Sequence, residues 1–489
     1  MITGHSAVAS AASLARQLGA WRPATGHGAP SSRRPAYLSI AEAVRLLVLD
    51  GRVPVGTALP SERALAAELG VSRTTVTAAY ADLRESGHLQ SRQGMRSVLS
   101  LPVAVPAEPA DAGHDAIALN VAAPAAPDGI VQEGYRHAVA ALPPYLSGTG
   151  VYPTGIRALR EAVAIRYTER GLPTRPEQIL VTAGAQHALR IVLDAVVSPG
   201  ERVVVEQPTH HGTLLALRRH RARAVPLGLH PERGWDLDQL EAVVRRHHPR
   251  MIFTIADFHN PTGLLLDAAG RAAMTAIAAA NGATVVVDET MAELGLDAAP
   301  PPPVAAFARR GAHVVTIGSA SKTVWAGLRI GWIRADEDTI PQLAAARYEL
   351  DLAGTVLEQL AAAYTLGHLD DFLPARRRML LANRSVVRSE LAEHLPGATT
   401  VPGPGGLCLW VALPAPLATA TATAAARRGV RLTPGSAFTV DGAGERHIRI
   451  PYTLPEPLLR SAVATVGAAY REAAGAGTPT ARLEQGLVV

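Results

Sequence analysis

The sequence predicts two domains of different class, a small helical module followed by a larger α/β body with a mostly parallel sheet. A chain of 489 residues is too long for one ordinary hydrophobic core. From about residue 117 onward, short apolar runs typical of buried parallel strands alternate with amphipathic stretches, which is the pattern of an α/β sandwich. A segment with three prolines, at 99–116, separates this body from the helical pattern before it.

The predicted organisation has five parts. They are a mobile arm at 1–35, the helical module at 36–98, the linker at 99–116, the body at 117–475 and a tail at 476–489. The body also contains five clear strand candidates. These lie at 178–182, 202–205, 251–255, 284–287 and 314–317.

Composition excludes several classes of protein. Cys408 is the only cysteine, so an intrachain disulfide and a cysteine-rich metal site are both excluded, and we expect no metal. Residues 1–30 have no signal-peptide pattern, and no apolar run is long enough to span a membrane. These features predict a cytoplasmic protein with no membrane partner.

Two charge patterns point toward function. Residues 1–100 hold eleven Arg against six Asp or Glu, which accounts for the whole net charge of +5 and indicates a polyanion partner for the helical module. The chain has 46 Arg but a single lysine, Lys322. Since a guanidinium stays protonated and is a poor nucleophile, a retained lysine suggests amine chemistry, with chance survival as the alternative.

The helical module carries a helix-turn-helix pattern. Ser61 can cap a first helix, 70–72 forms a tight turn, and Ser72 can cap a second helix. Hydroxyls and a guanidinium at the N-terminus of that second helix suit phosphates and base edges in a major groove. A structural helical hairpin with a solvated face is the alternative interpretation.

The run at 59–94 reads LPSERALAAELGVSRTTVTAAYADLRESGHLQSRQG and closely resembles the GntR-type winged helix. The resemblance covers roughly residues 37–98 and implies an operator of double-stranded DNA as the partner. Ser72, the predicted cap of the second helix, is one of the positions expected at the DNA. The other positions that the resemblance places at the DNA are Arg63, Arg73, Thr74, Thr75, Thr77 and Gly94. The family often has Arg or another polar residue in place of Thr77.

Four segments of the body carry chemistry. GSASK at 318–322 follows an apolar strand, and Arg329 lies seven residues after Lys322. TAGAQ at 182–186 opens a helix whose N–H groups can approach a phosphate. Asp288 ends a strand, where a carboxylate could hold a pyridinium nitrogen protonated. DFHNPTG at 257–263 places an amide in a turn. Each segment alone also has an ordinary structural explanation.

Together, in this order, the segments resemble fold-type I pyridoxal-phosphate enzymes of the aspartate aminotransferase kind, over roughly residues 117–475. The resemblance implies a small C-terminal α+β subdomain and pyridoxal 5'-phosphate as cofactor. It implies that Lys322 forms the internal aldimine, Asp288 pairs with the ring nitrogen and Asn260 contacts the phenolic oxygen. The implied phosphate residues are Gly184, Ala185, Gln186, Ser319, Ser321, Arg329 and, from a neighbouring subunit, Tyr152. Arg449 matches the residue that grips a substrate carboxylate.

The sequence departs from that family at two places. His210 stands where an aromatic ring usually covers the cofactor, and an imidazole can still stack there. Thr290 and Met291 occupy positions where a tyrosine is usual, so a contact to the phenolic oxygen is missing or comes from elsewhere. These departures bear on the efficiency of transamination rather than on cofactor binding.

A GntR-type winged helix fused to an aminotransferase-like domain resembles the MocR-type regulators. This resemblance implies a homodimeric transcription regulator that responds to pyridoxal phosphate, or to a small amine or amino acid held at Lys322. A working aminotransferase with an accessory DNA-binding domain is the alternative. A third possibility is an aminotransferase relative that only buffers or senses the cofactor.

Overall fold

The computed structural model describes residues 10–18, 35–49, 53, 56–90, 97–100, 116–230, 232–309, 311–401 and 403–476. The chain forms two compact units, with the main division after residue 115. None of the described helices combines the length and apolarity needed to cross a bilayer.

The first unit is a helical module with a two-stranded wing. Its described elements are α1 (Ala11–Leu18), α2 (Ala36–Leu49), α3 (Glu62–Leu69), α4 (Arg73–Glu85), β1 (Leu89–Gln90) and β2 (Val98–Leu99). The wing strands are antiparallel, with Leu89 opposite Leu99. Ser61 and Ser72 accept hydrogen bonds from backbone N–H groups in the first turns of α3 and α4, which confirms both predicted caps.

Helix α1 corrects part of the expectation of a mobile arm at 1–35. Leu14 and Leu18, four residues apart on one face, are buried in the core of the module with Ile40, Leu65 and Val76. The small-residue composition of this segment favours a mobile arm, but two leucines at helical spacing suffice to attach part of it. Most of residues 1–35 lie outside the described residues.

The second unit is an α/β body. Its described helices are α5 (Ile130–Ala141), α6 (Arg157–Glu169), α7 (Ala185–Val196), α8 (His211–His220), α9 (Leu237–His247), α10 (Ala268–Ala280), α11 (Ala320–Thr323), α12 (Ile340–Tyr348), α13 (Val356–Gly367), α14 (Leu369–His394), α15 (Ala418–Arg427) and α16 (Glu456–Ala476). Its described strands are β3 (Ile117–Ala118), β4 (Ile179–Thr182), β5 (Arg202–Gln207), β6 (Arg223–His230), β7 (Gly234–Trp235), β8 (Met251–Thr254), β9 (Thr284–Asp288), β10 (His313–Ser319), β11 (Gly331–Arg334), β12 (Thr399–Thr400), β13 (Cys408–Ala412), β14 (Val430–Arg431), β15 (Thr433–Pro434) and β16 (His447–Pro451).

The central sheet has eight strands in the order β4-β11-β10-β9-β8-β5-β6-β7. The pairings from β10 through β6 are parallel, as predicted. Strand β11 is antiparallel to both of its neighbours, so β4 has no parallel partner among the described strands, which corrects the parallel pairing expected for it. Val285 and Val287 face one hydrophobic core and Val286 faces another, so apolar layers cover both faces of the sheet.

The C-terminal part of the body forms a smaller subdomain. Strands β12, β13, β16 and β15 form an antiparallel sheet in this order. Its core joins Val411 and Ile448 of the sheet to Leu391 of α14 and Val463 of α16. This is the α+β subdomain that the sequence predicts, and β16 carries Arg449.

Candidate cofactor site and nucleic-acid interface

Lys322 lies in the one-turn helix α11, directly after the carboxyl end of β10. Ser319 caps this turn, and its hydroxyl lies 3.0 Å from the carbonyl oxygen of Ile330. The Lys322 ammonium donates a hydrogen bond of 2.7 Å to the carbonyl oxygen of Ala122. Burial, followed by the charge of Arg449, lowers the pKa of the Lys322 amine to about 8. The pocket therefore keeps part of this amine uncharged and nucleophilic near neutral pH.

Asp288 lies at the same edge of the sheet. It ends β9 opposite Ile317 of β10, and its Oδ1 accepts a hydrogen bond of 2.9 Å from the Thr290 N–H. Burial raises the pKa of Asp288, while the Thr290 hydrogen bonds and the charge of Lys322 oppose this shift. Met291 is buried in the core of the small subdomain. Thr290 thus orients Asp288. Neither Thr290 nor Met291 supplies the aromatic hydroxyl that a tyrosine would provide.

Arg449 is a buried cation, with 2% of the residue exposed. Its Nη2 donates 2.6 Å to the carbonyl oxygen of Asn120, and its Nη1 lies 3.5 Å from Asn260 Oδ1. The guanidinium also lies 5.1 Å from the ring centre of Phe438. No carboxylate of the described residues forms an ion pair with Arg449, and burial lowers the pKa of its guanidinium. A buried guanidinium of this kind suits an anionic ligand.

Two histidines line the pocket at the start of α8. The rings of His210 and His211 lie 4.9 Å apart, and His211 meets Phe438 edge-on. A Cβ atom at Gly212 would lie 2.6 Å from His210 and 2.8 Å from Gln186, so this glycine lets both side chains approach. Burial lowers the pKa of both imidazoles and brings that of His211 to about 4. Both rings are therefore uncharged at neutral pH.

The sheet register gathers three loops. Gly331 of β11 pairs with Thr182 of β4 on one side and with Ser319 of β10 on the other. Ser319 Oγ lies 2.9 Å from Ser321 Oγ. The loop after β4, the lysine turn and the start of β11 consequently meet at one end of the sheet.

Arg329 crosses this end toward the N-terminus of α7. Its Nη2 donates 3.0 Å to the carbonyl oxygen of Ala183. Gly184 has a φ of 90°, and a Cβ atom there would lie 3.1 Å from Arg329 Nη2. Ala185 and Gln186 begin α7, whose first N–H groups have no partner within the helix. A guanidinium beside a helix N-terminus forms an anion site.

The predicted DNA-contact residues cluster at the N-terminus of α4. Ser72 Oγ accepts a hydrogen bond of 3.2 Å from the Thr75 N–H and lies 2.7 Å from the hydroxyl of Thr74. Thr77 follows one turn later and is exposed. The Arg73 side chain is 72% exposed. The Ser72 cap therefore stabilises a helix N-terminus that is polar and faces solvent.

Two further predicted DNA contacts lie away from this end. Arg63 is exposed on α3. Gly94, expected at the tip of the wing, lies outside the described residues.

Comparison with known families agrees with this geometry. The model for aminotransferase class I and II matches residues 147–466, which is more than half of the chain. The chain belongs to this family. The model for bacterial regulatory proteins of the gntR family matches residues 36–98. A gntR module ahead of a class I and II aminotransferase domain is the architecture of MocR-type transcription regulators, and pyridoxal phosphate is the cofactor of that domain.

Relatives share both parts. The uncharacterized HTH-type transcriptional regulator YisV of Bacillus subtilis is 27% identical over 89% of this chain and 95% of its own length. The HTH-type transcriptional regulator TauR of Rhodobacter capsulatus is 27% identical over 85% of this chain and 93% of its own. Among solved structures, the α-aminoadipate aminotransferase LysN of Thermus thermophilus, complexed with N-(5'-phosphopyridoxyl)-L-leucine, has a TM-score of 0.68 at 27% identity. That match covers 74% of this chain and 94% of LysN.

The pocket of this class I and II aminotransferase domain fits pyridoxal phosphate. It combines an amine, a carboxylate at a strand end and a guanidinium beside a helix N-terminus. Within the described chain, His210 Nδ1 and Asn120 Oδ1 are buried without a hydrogen-bond partner. Such orphaned atoms are costly unless a ligand or water satisfies them.

Sequence reasoning missed several residues of this aminotransferase-family pocket. The carbonyl groups of Asn120 and Ala122 contact Arg449 and Lys322, but every residue has a carbonyl and no side-chain pattern marks these two. Phe438, which contacts Arg449, lies in no recognisable sequence motif and was missed for that reason. Tyr152 packs edge-on against Tyr145, at 5.8 Å between ring centres, and its predicted reach into a neighbouring subunit stays a prediction.

Proposed function

We propose that this MocR-type regulator binds operator DNA through α4 and senses pyridoxal phosphate, or a small amine or amino acid, at the pocket around Lys322. The observation that carries the proposal is Arg449. It is a buried guanidinium without a carboxylate partner among the described residues, and it lies in the same pocket as the single lysine. The charge of Asp288 acts on Lys322, whereas a buried guanidinium without such a partner is unfavourable unless an anionic ligand balances it.

Each residue of the pocket has a proposed role. When bound, pyridoxal phosphate supplies an aldehyde that condenses with amines and a ring that withdraws electrons. Lys322 anchors it, Asp288 holds a proton at the ring nitrogen, and Asn260 faces the phenolic oxygen. His210 covers the ring. The residues proposed for the phosphate are Gly184, Ala185, Gln186, Ser319, Ser321 and Arg329, joined by Tyr152 of a second subunit.

Arg449 gives the pocket its preference among amines. Its guanidinium is suited to a carboxylate, so an amino acid satisfies the pocket better than a simple amine. The uncharged imidazole of His211 adds no competing charge. These features favour an amino-acid effector.

A homodimer accounts for exposed apolar side chains near Tyr152. Leu146 and Val151, which both precede this tyrosine in sequence, are 69% and 45% exposed, and Val139 of α5 is 61% exposed. A partner subunit covering them would place Tyr152 at a subunit boundary. Light scattering should give twice the mass of one chain.

An active aminotransferase is the second candidate, because the cofactor-binding set is nearly complete. Steady-state assays against a panel of amino acids and 2-oxo acids separate the two functions. Turnover at a physiological rate would favour the enzyme, and the absence of Tyr at Thr290 and Met291 favours the regulator.

The cofactor assignment is tested by reduction with borohydride. We expect purified protein to absorb in the visible range, and borohydride to fix the cofactor to the peptide that contains Lys322. Lys322→Ala should lose the absorbance and the fixation because Lys322 is the only lysine. Circular dichroism checks that the fold is retained, and Arg446→Ala, an exposed neighbour of the pocket strand, is the control. Cofactor still reducible onto Lys322→Ala protein would refute the assignment.

A further inference from the structure

An acidic side chain lies within the predicted DNA-contact surface. Glu62 is the first residue of α3, and its carboxylate reaches α4. Its Oε2 accepts a hydrogen bond of 2.8 Å from the Thr77 hydroxyl and lies 3.7 Å from Arg73 Nε. Its Oε1 lies 3.8 Å from Arg84 Nη2. Two of these partners, Arg73 and Thr77, are residues proposed to meet DNA.

The hydroxyl hydrogen of Thr77 is directed into the protein. Its Oγ1 lies 2.8 Å from Glu62 Oε2 and 3.0 Å from the carbonyl oxygen of Arg73, and both of these atoms accept. A hydroxyl has one hydrogen and two lone pairs, and an ionised carboxylate only accepts. Glu62 and Thr77 therefore offer acceptors, and no donor, to a ligand at this surface.

Apolar side chains also hold α3 against α4. Leu65 and Leu69 of α3 are buried with Val76 and Ala79 of α4, and Gly70 shapes the turn between the helices. The Glu62 side chain is 22% exposed, so part of it faces solvent. A negative charge here also weakens attraction to phosphates.

We propose that Glu62, together with Thr77, is a specificity-determining site that accepts a hydrogen bond from the N4 amino group of a cytosine in the major groove. The inference rests on the proposed DNA-binding function. Cytosine presents a donor there and no acceptor, whereas adenine places its N7 acceptor beside its amino group, and guanine and thymine present acceptors. Two acceptors side by side favour cytosine. Arg73, which only donates, suits an adjacent guanine or phosphate.

The test is selection from a randomised duplex DNA library by full-length wild type, Glu62→Gln, Thr77→Val and Glu68→Gln. Glu68→Gln is the matched control, because Glu68 is an exposed residue of the same helix and loses the same charge. Wild type should select a motif with a required cytosine. Glu62→Gln, whose amide can also donate, should relax that position by roughly fivefold or more and leave other positions unchanged. Thr77→Val should relax the same position, and Glu68→Gln should keep the wild-type motif.

Each outcome decides the inference. If Glu62→Gln and Thr77→Val select the wild-type motif and only melt earlier, Glu62 is structural and the inference is wrong. If Glu68→Gln relaxes the same cytosine, net charge rather than position sets the preference, and the inference is again wrong. If wild type selects no motif, the proposed DNA-binding function fails and this inference fails with it.

Discussion

Lys322 and Arg449 place two cationic groups in one buried pocket, and this environment lowers the pKa of Lys322. Burial first and the Arg449 charge second lower the pKa of the lysine amine to about 8. An ordinary lysine amine, with a pKa of ~10.4, is almost wholly charged at neutral pH. With a pKa of about 8, roughly a tenth of the Lys322 amine is neutral at pH 7. The neutral form has the lone pair that attacks an aldehyde.

Capture of pyridoxal phosphate by cofactor-free protein should therefore depend on pH. Because deprotonation creates the nucleophile, the rate should rise with pH, with a midpoint near the pKa of about 8, and then level off. Stopped-flow absorbance measures it. Arg449→Gln should move the midpoint upward, since the Arg449 charge lowers the lysine pKa, whereas Arg446→Gln, exposed and three residues away, should not. A wild-type midpoint at the value of an ordinary lysine would contradict this account.

Side chains of the pocket were more predictable from sequence than their partners. Lys322, Asp288 and Asn260 lie in short motifs after strands, and the sheet brings those strand ends together. The carbonyl groups at Asn120 and Ala122 could not be found, because the interaction uses backbone and the partners are some 200 to 330 residues apart. The contact between Glu62 and Thr77 could not be predicted either, because it depends on how α3 crosses α4.

Among elements, the turn between α3 and α4 sets the geometry of the DNA-contact surface. Gly70 ends α3 with a φ of 61° and a ψ of 41°, in the left-handed region, and its N–H faces the carbonyl groups of Ala66 and Ala67. Ser72 then caps α4. A residue with a Cβ atom is strained in this conformation. The angle between the two helices therefore depends on this glycine.

Gly70→Ala should destabilise the helix-turn-helix locally by about 1–2 kcal/mol. Hydrogen exchange of the full-length protein should show amides in α3 and α4 exchanging several-fold faster, while β8 and β9 stay unchanged. The control is Gly148→Ala, because among the described residues a Cβ atom at Gly148 would meet only a carbonyl oxygen 4.0 Å away. Equal exchange in wild type and Gly70→Ala would show that the turn carries no strain.

Sequence periodicity predicted the positions of the strands better than whether paired strands run parallel or antiparallel. All five strand candidates of the body are strands, but an apolar run does not state which neighbour it pairs with, so the antiparallel insertion of β11 beside β4 was not foreseen. Helix α1 could not be predicted from the small-residue composition of its segment, because only the spacing of Leu14 and Leu18 marks its buried face.

For the whole molecule, regulation requires that ligands of one unit change the affinity of the other. A ligand shifts an equilibrium only by its difference in affinity between two states. Couplings of about 1–3 kcal/mol, typical of allosteric proteins, correspond to changes of roughly 5–150-fold. Arg449 belongs to the small subdomain, and Lys322 lies in α11 directly after a strand of the large sheet, so an amino acid held by both would link these two parts of the body.

Operator affinity should therefore shift on addition of ligand. We expect pyridoxal phosphate with an amino-acid effector to change wild-type affinity within that range, measured by fluorescence anisotropy on a selected operator. Lys322→Ala should abolish the response, Arg449→Ala should lose the amino-acid part only, and Arg446→Ala should respond as wild type. Equal affinity of cofactor-free and loaded wild type, with no response to any amino acid, would exclude sensing. If pyridoxal phosphate alone gives the whole shift and Arg449→Ala retains it, the effector is the cofactor itself.

The hydrogen bond from Lys322 to the Ala122 carbonyl buries the only ε-amine in the chain. Enzymes that acetylate lysine or conjugate modifier proteins to it have no other lysine to act on. Every positive charge at the predicted DNA surface is an arginine, beyond the reach of such chemistry. Acetylation, which silences basic patches in other DNA-binding proteins by removing charge, cannot alter this one. Lysine modification therefore offers no second route for changing DNA affinity beside the proposed ligands of the pocket.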